Sequence, residues 1–134
     1  MSLYESEKDR LIRQLQKEIR RKNQEIANLE NKIRELKNAL YKQTIGFEAD
    51  FNKIKNKFSV LDNKLIDTVI MLVKSRREPV HYTLITKVAK ARFPMIRKFK
   101  DESIRRRLQY LGQQGILHRP RPGYYVIGEI YNTT

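Results

Sequence analysis

Residues 101–128 read DESIRRRLQYLGQQGILHRPRPGYYVIG, three consecutive arginines inside a segment spaced like a helix that packs on a core. On a helix, Ile104, Leu108 and Leu111 fall on one face at i, i+4 and i+7. Arg106 and Gln113 then lie roughly opposite, flanked by Gln109 and Tyr110. One side is core and the other is basic. Asp101 is placed to cap this helix, and Gly115 to end it. Beyond Gly115, ILHRP and YYVIG alternate like strands around Arg121-Pro122-Gly123, which predicts a hairpin. Tyr124 and Tyr125 then point to opposite sides of their strand, so only one of them joins the core.

Upstream, the spacing predicts two more helices. Ser59 or Asp62 can cap the first, which runs to about Arg76 with Leu61, Leu65, Val69, Leu72 and Val73 apolar and is stopped by Arg77-Glu78-Pro79. Val80, His81 and Tyr82 form a short extended piece, with His81 packing beside the helix that follows. Thr83 caps that second helix, which carries Ile85, Val88 and Ala89 and ends at Pro94. A basic loop, MIRKFK at 95–100, leads into the quoted stretch.

The N-terminal segment follows a different rule. With Ile12 at heptad position a, the a positions hold Ile12, Ile19, Ile26, Ile33 and Leu40, and the d positions hold Leu15, Lys22, Leu29 and Leu36. No Pro or Gly occurs before Gly46. Residues 1–45 therefore read as a coiled coil, and isoleucine at a with leucine at d favours two strands, making this stripe the expected homodimer interface. In a parallel pair Glu25 would meet Glu30, Lys32 would meet Lys37 and Lys22 would meet its own copy, all like-charged. An antiparallel register setting Ile26 against Leu29 brings Glu25 beside Lys32 instead, which favours that direction. Residues 46–58 continue as a connector helix, kinked at Gly46, with Phe47, Phe51, Ile54 and Phe58 on one stripe that packs on the domain after it.

Composition bounds the function. The chain has 134 residues, a formal net charge of +14 and no cysteine. Residues 1–45 carry +4, residues 46–60 carry +1, and residues 61–134, with 15 Lys and Arg against 6 Asp and Glu, carry +9. Such an excess in the C-terminal part points to a polyanionic partner. The longest apolar run, LIDTVIMLV at 65–73, is short and contains Asp67, so no membrane span is expected. The opening MSLYESEKDR has no apolar signal region. Two histidines 37 residues apart make no zinc site, and GQQG at 112–115 is far from a phosphate-binding loop. No nucleophile and base can be paired, so the expectation is a non-enzyme without metal, cofactor or small-molecule ligand.

Three helices followed by a hairpin is the winged-helix order. The stretches EPVHYTLITKVAK and SIRRRLQYLGQQGILHRPRPGYYVI resemble winged helix-turn-helix DNA-binding domains, and the PVHY opening resembles the HARE type in particular. The resemblance covers about residues 61–128. A winged helix joined to a coiled coil is also similar in plan to small archaeal chromatin or regulator proteins.

The resemblance implies that residues 101–114 form a recognition helix that enters the major groove of double-stranded DNA. Arg106, Gln109 and Gln113 then face base edges. Ser103, Lys98 and Lys100 sit where phosphates are expected, Arg119 and Arg121 extend contact from the wing, and Arg105 and Tyr110 complete the candidate set. Glu102 departs from this logic, because a carboxylate near the groove repels phosphate. Arg105 and Arg107 flank the core face, where their stems can lie along apolar surface.

The sequence thus predicts a mainly α chain: a dimeric coiled coil over 1–45, a connector over 46–58 and a winged-helix domain over 59–134. The expected function is a dimeric transcription regulator or architectural chromatin protein, cytoplasmic and nucleoid-associated, or nuclear in a eukaryote. The alternative is a protein–protein interaction module whose basic charge serves solubility.

Overall fold

The computed structural model describes residues 3–128. Helix α1 spans Leu3–Ile54 and is followed by a 3-10 turn at Lys55–Lys57. Helix α2 (Val60–Arg76), strand β1 (Val80–His81), helix α3 (Tyr82–Arg92), a second 3-10 turn (Pro94–Lys98), helix α4 (Asp101–Gln113) and strands β2 (Leu117–Arg121) and β3 (Tyr124–Ile127) complete the order. The fold is mainly α with one small antiparallel sheet, and it divides into two compact units, residues 1–36 and 37–134.

Among the described residues the first unit is helix alone. Its a and d side chains from Ile12 to Leu36 are exposed, with the apolar ones between 45% and 70% accessible. The heptad pattern is therefore real as a stripe, and nothing within the unit covers it.

In the second unit α1 continues as helix through Gly46. One glycine costs a helix about 1 kcal/mol, and the burial of Phe47 and Phe51 on the next two turns offsets that cost. Phe58 leaves the helical stripe: it follows the 3-10 turn in extended conformation, its ring centroid 6.0 Å from that of Phe51. Ser59 caps α2, its Oγ accepting from the Asp62 backbone N–H at 3.1 Å. Helix α2 is buried on more than the expected stripe, since Ile66 and Ile70 are in the core as well. Its C-cap is Arg77, at a left-handed φ of 56°, with the guanidinium 4.8 Å over the Tyr41 ring and bonded to Asn38.

Two expected caps are corrected. His81, not Thr83, caps α3, its Nδ1 accepting from the Thr83 backbone N–H at 3.3 Å. A ring nitrogen can accept as a hydroxyl does, and Tyr82 thereby becomes the first helical residue instead of extended chain. Asp101 lies inside α4, and Lys100 occupies the cap position with no side-chain bond. The Asp101 carboxylate pairs with Lys90 instead, fastening the start of α4 to α3.

The sheet order is β1-β3-β2, with Val80 opposite Tyr125 and Leu117 opposite Ile127. Register shifts between His118 and Arg121, where Pro120 cannot donate to the ladder. The turn into β3 places Gly123 at φ +83°, where an added Cβ would stand 3.0 Å from His81 Nε2, so the backbone and its neighbour both demand glycine. Ile104, Leu108 and Leu111 of α4 are fully buried with Leu65, Val69, Ile85, Leu117 and Ile127.

Candidate nucleic-acid interface

The buried face of α4 fixes what its other face presents. Ser103, Arg105, Arg106, Tyr110 and Gln113 are exposed and Gln109 is half-buried. Lys98 and Lys100 are exposed at the N-terminal end of α4, and Arg119 and Arg121 are exposed on β2. Gln109 and Gln113 share a cavity of about 520 Å³ with His118 and Arg119, and Tyr125 contributes to its wall. Burial pushes the Tyr125 phenol above its ordinary pKa, against the opposing charge of Arg119.

Each of the three consecutive arginines has a different partner. Arg107 reaches Asp62 on α2, Nε donating to Oδ1 at 2.9 Å and the terminal nitrogen to Oδ2 at 2.6 Å. The Asp62 side chain is only 5% accessible. The expectation that Arg107 merely lies along apolar surface is therefore corrected, because its headgroup answers a buried carboxylate. This hydrogen bond, with the charge of Asp62, raises the Arg107 pKa further above its ordinary value. Arg106 pairs with Glu102 one turn back, at 3.0 Å on an open surface. That contact gives Glu102 a role the sequence reading lacked, restraining Arg106 loosely while no other partner is present. Arg105 stacks its guanidinium 4.7 Å from the centre of the Tyr82 ring.

The Arg105 contact begins a ladder that runs from α4 to the hairpin. The Tyr82 ring is 4.4 Å from His81, His81 meets Tyr124 edge-on at 5.0 Å, and Arg121 lies 3.8 Å over Tyr124. Two arginines from separate elements thus end one run of half-buried aromatic rings, each ring face attracting the cation above it. Sequence reasoning placed His81 beside α3 and missed the ladder. Its basis is the register of β1 on β3, which sets His81 opposite Tyr124 and Val80 opposite Tyr125.

A second cleft, of about 380 Å³, opens between α3 and the start of α4 and is lined by Tyr82, Thr83, Thr86, Lys87, Lys90 and Asp101. Lys87 and Thr83 are exposed there and were not in the sequence-derived set. Lys98 stands apart, its ammonium 5.5 Å over Phe99. Among the described residues no group of three or more His, Asp or Glu could hold a metal ion, and no helix is long and apolar enough to cross a membrane. Comparison with protein-family models, curated proteins and solved structures finds no match to this chain.

Proposed function

We propose that this chain is a dimeric protein that binds double-stranded DNA as a winged helix, serving transcription regulation or chromatin architecture. The observation that carries the reading is the outer face of α4. Arg106, Gln109 and Gln113, the side-chain types that bond base edges, stand opposite the buried Ile104, Leu108 and Leu111, Arg119 of the hairpin lines one cavity with Gln109 and Gln113, and Arg121 is exposed on the same strand as Arg119. The three-stranded sheet order and the hairpin after α4 support the winged-helix reading, and the exposed stripe from Ile12 to Leu36 supports pairing through α1.

In this reading α4 enters the major groove, the hairpin follows the backbone, and Ser103, Lys98 and Lys100 meet phosphates at the N-terminal end of the helix. Arg106 exchanges Glu102 for a base edge, a low-cost exchange because both partners are largely exposed.

A fluorescence-anisotropy titration of a random duplex across a salt series tests it. Wild type should lose affinity steeply as salt rises. Arg121→Ala should weaken all sequences alike and lower the salt slope by about one ion per subunit. Arg106→Ala should weaken a preferred site by about 1 to 3 kcal/mol while leaving folding intact. Salt-independent or absent binding, or wild-type affinity in both variants, rejects the reading in favour of a protein-docking module.

A further inference from the structure

The stripe on the first unit needs an occupant, and the charges beside it select one. From Ile12 to Leu36 the a and d side chains are exposed along a single helical face. Beside that face the g positions hold Glu18, Glu25 and Lys32, and the e positions hold Glu30 and Lys37. We propose that the occupant is a second copy of the chain running antiparallel, so that one dimer holds two separate DNA duplexes. The bridging half of this rests on the DNA-binding reading above.

In a parallel pair, g meets e of the second copy five residues on. Glu25 would then face Glu30 and Lys32 would face Lys37, each repulsion occurring twice by symmetry. Lys22 would also meet Lys22 inside the core. In an antiparallel pair g meets g. With Ile26 opposite Leu29, Glu25 faces Lys32 twice, Glu18 faces the uncharged Ala39, and no like charges meet. Lys22 then lies against Ile33, and its ammonium is already drawn to the helix edge by Glu18, 4.0 Å away on the previous turn. A lysine whose head is held at the rim covers an apolar neighbour with its stem, and two such lysines facing each other would not.

The direction decides what the assembly does. The dyad falls between residues 27 and 28, and each chain passes into its second unit near Lys37. The two Lys37 positions are then separated by about 19 residues of helix, roughly 30 Å, and the chains depart in opposite directions. Two DNA-binding units leaving from opposite ends engage different duplexes, or distant segments of one. A parallel pair would instead release them side by side, suited to adjacent half-sites.

The chain has no cysteine, so Arg10→Cys carries a single nitroxide on the outer face of the full-length protein. Dipolar spectroscopy should give a separation of roughly 50 Å in the antiparallel register, since residue 10 lies level with residue 45 of the second copy. A separation under about 30 Å, or a chain that sediments as a monomer of 16.1 kDa at tens of micromolar, overturns the pairing. Bridging is read by adding the unlabelled protein to a bead-bound duplex and a free fluorescent duplex. Capture of the free duplex, lost in Ile26→Lys while single-duplex binding persists, is the expected result. Binding of a single duplex without capture overturns the bridging. No binding to any duplex overturns the DNA reading and the bridging with it, while the spin-label distance still decides the pairing.

Discussion

Arg107 and Asp62 close a two-point ion pair between α4 and α2, joining residues 45 apart in the chain. Two hydrogen bonds restrain the rotation of α4 about its axis as well as its position, because each carboxylate oxygen takes a different nitrogen of the rigid guanidinium fork. The residue after Arg106 thus holds the helix so that Arg106 faces outward. In the proposed reading, structure and recognition fall to adjacent residues of one run.

Removing the guanidinium leaves the Asp62 carboxylate buried without its partner. Arg107→Ala should therefore destabilise the chain by roughly 2 to 4 kcal/mol, the lower end reflecting the partial exposure of the arginine. Urea denaturation followed by circular dichroism measures this. Under strongly native conditions the variant should bind DNA with an affinity closer to wild type than Arg106→Ala shows. A loss under about 0.5 kcal/mol would mean that water satisfies Asp62 as well as Arg107 does.

Glu102 holds Arg106 at 3.0 Å, and in the proposed reading it competes with DNA for that arginine and adds a negative charge at the groove. Glu102→Gln should tighten duplex binding severalfold at low salt, an advantage that shrinks as added salt screens the carboxylate. Stability should change by no more than a few tenths of a kcal/mol, since both groups are about three-quarters exposed. Titrations of the two proteins at matched ionic strengths check both points. Unchanged affinity would place Glu102 and Arg106 away from the DNA.

The elements were legible where periodicity carries them. The heptads of α1, the faces of α4 with Ile104, Leu108 and Leu111, and the hairpin around Gly123 all follow from spacing of 3.5, 3.6 or 2 residues. What spacing does not carry was missed. The burial of Ile66 and Ile70 reflects how many neighbours α2 has, and a one-face pattern has no place for them. The His81 cap and the Lys90–Asp101 pair depend on side-chain contacts made after the elements assemble. For the candidate site, the exposed cations were legible individually. The ladder from Arg105 through Tyr82, His81 and Tyr124 to Arg121 required the sheet register that brings residues 81 and 124 together.

Asp67 gives the chain an unusual response to pH. Burial raises its folded pKa above the ordinary 3.8, against the opposing charges of Lys64, Lys55 and Arg92. The folded state therefore takes up this proton at higher pH than the unfolded chain does. At neutral pH the ionised carboxylate costs stability, and the cost is relieved as pH falls through the raised folded value towards 3.8. Asp67→Asn should accordingly melt above wild type at pH 7, with a difference that closes near pH 3.8. Thermal melts at several pH values read the trend, and a constant difference would assign the effect to packing instead.

The buried phenylalanines of α1 determine how short a folded fragment can be. Phe47 and Phe51 stack with ring centroids 6.0 Å apart and are fully inaccessible, although both precede the capping residue Ser59. Thr44 is buried as well, its hydroxyl donating to the Leu40 carbonyl at 2.8 Å. A fragment of residues 37–134 keeps these side chains, whereas 59–134 loses both rings from the buried core to which they belong. Truncating one buried phenylalanine costs about 3 to 5 kcal/mol, and a domain of this size is stable by only about 5 to 15 kcal/mol. The longer fragment should thus melt cooperatively as a monomer, and the shorter one should show no cooperative transition. If the shorter fragment is stable and binds a duplex as the longer one does, the end of α1 is dispensable to the fold. If the longer fragment dimerises, pairing does not need the exposed stripe from Ile12 to Leu36.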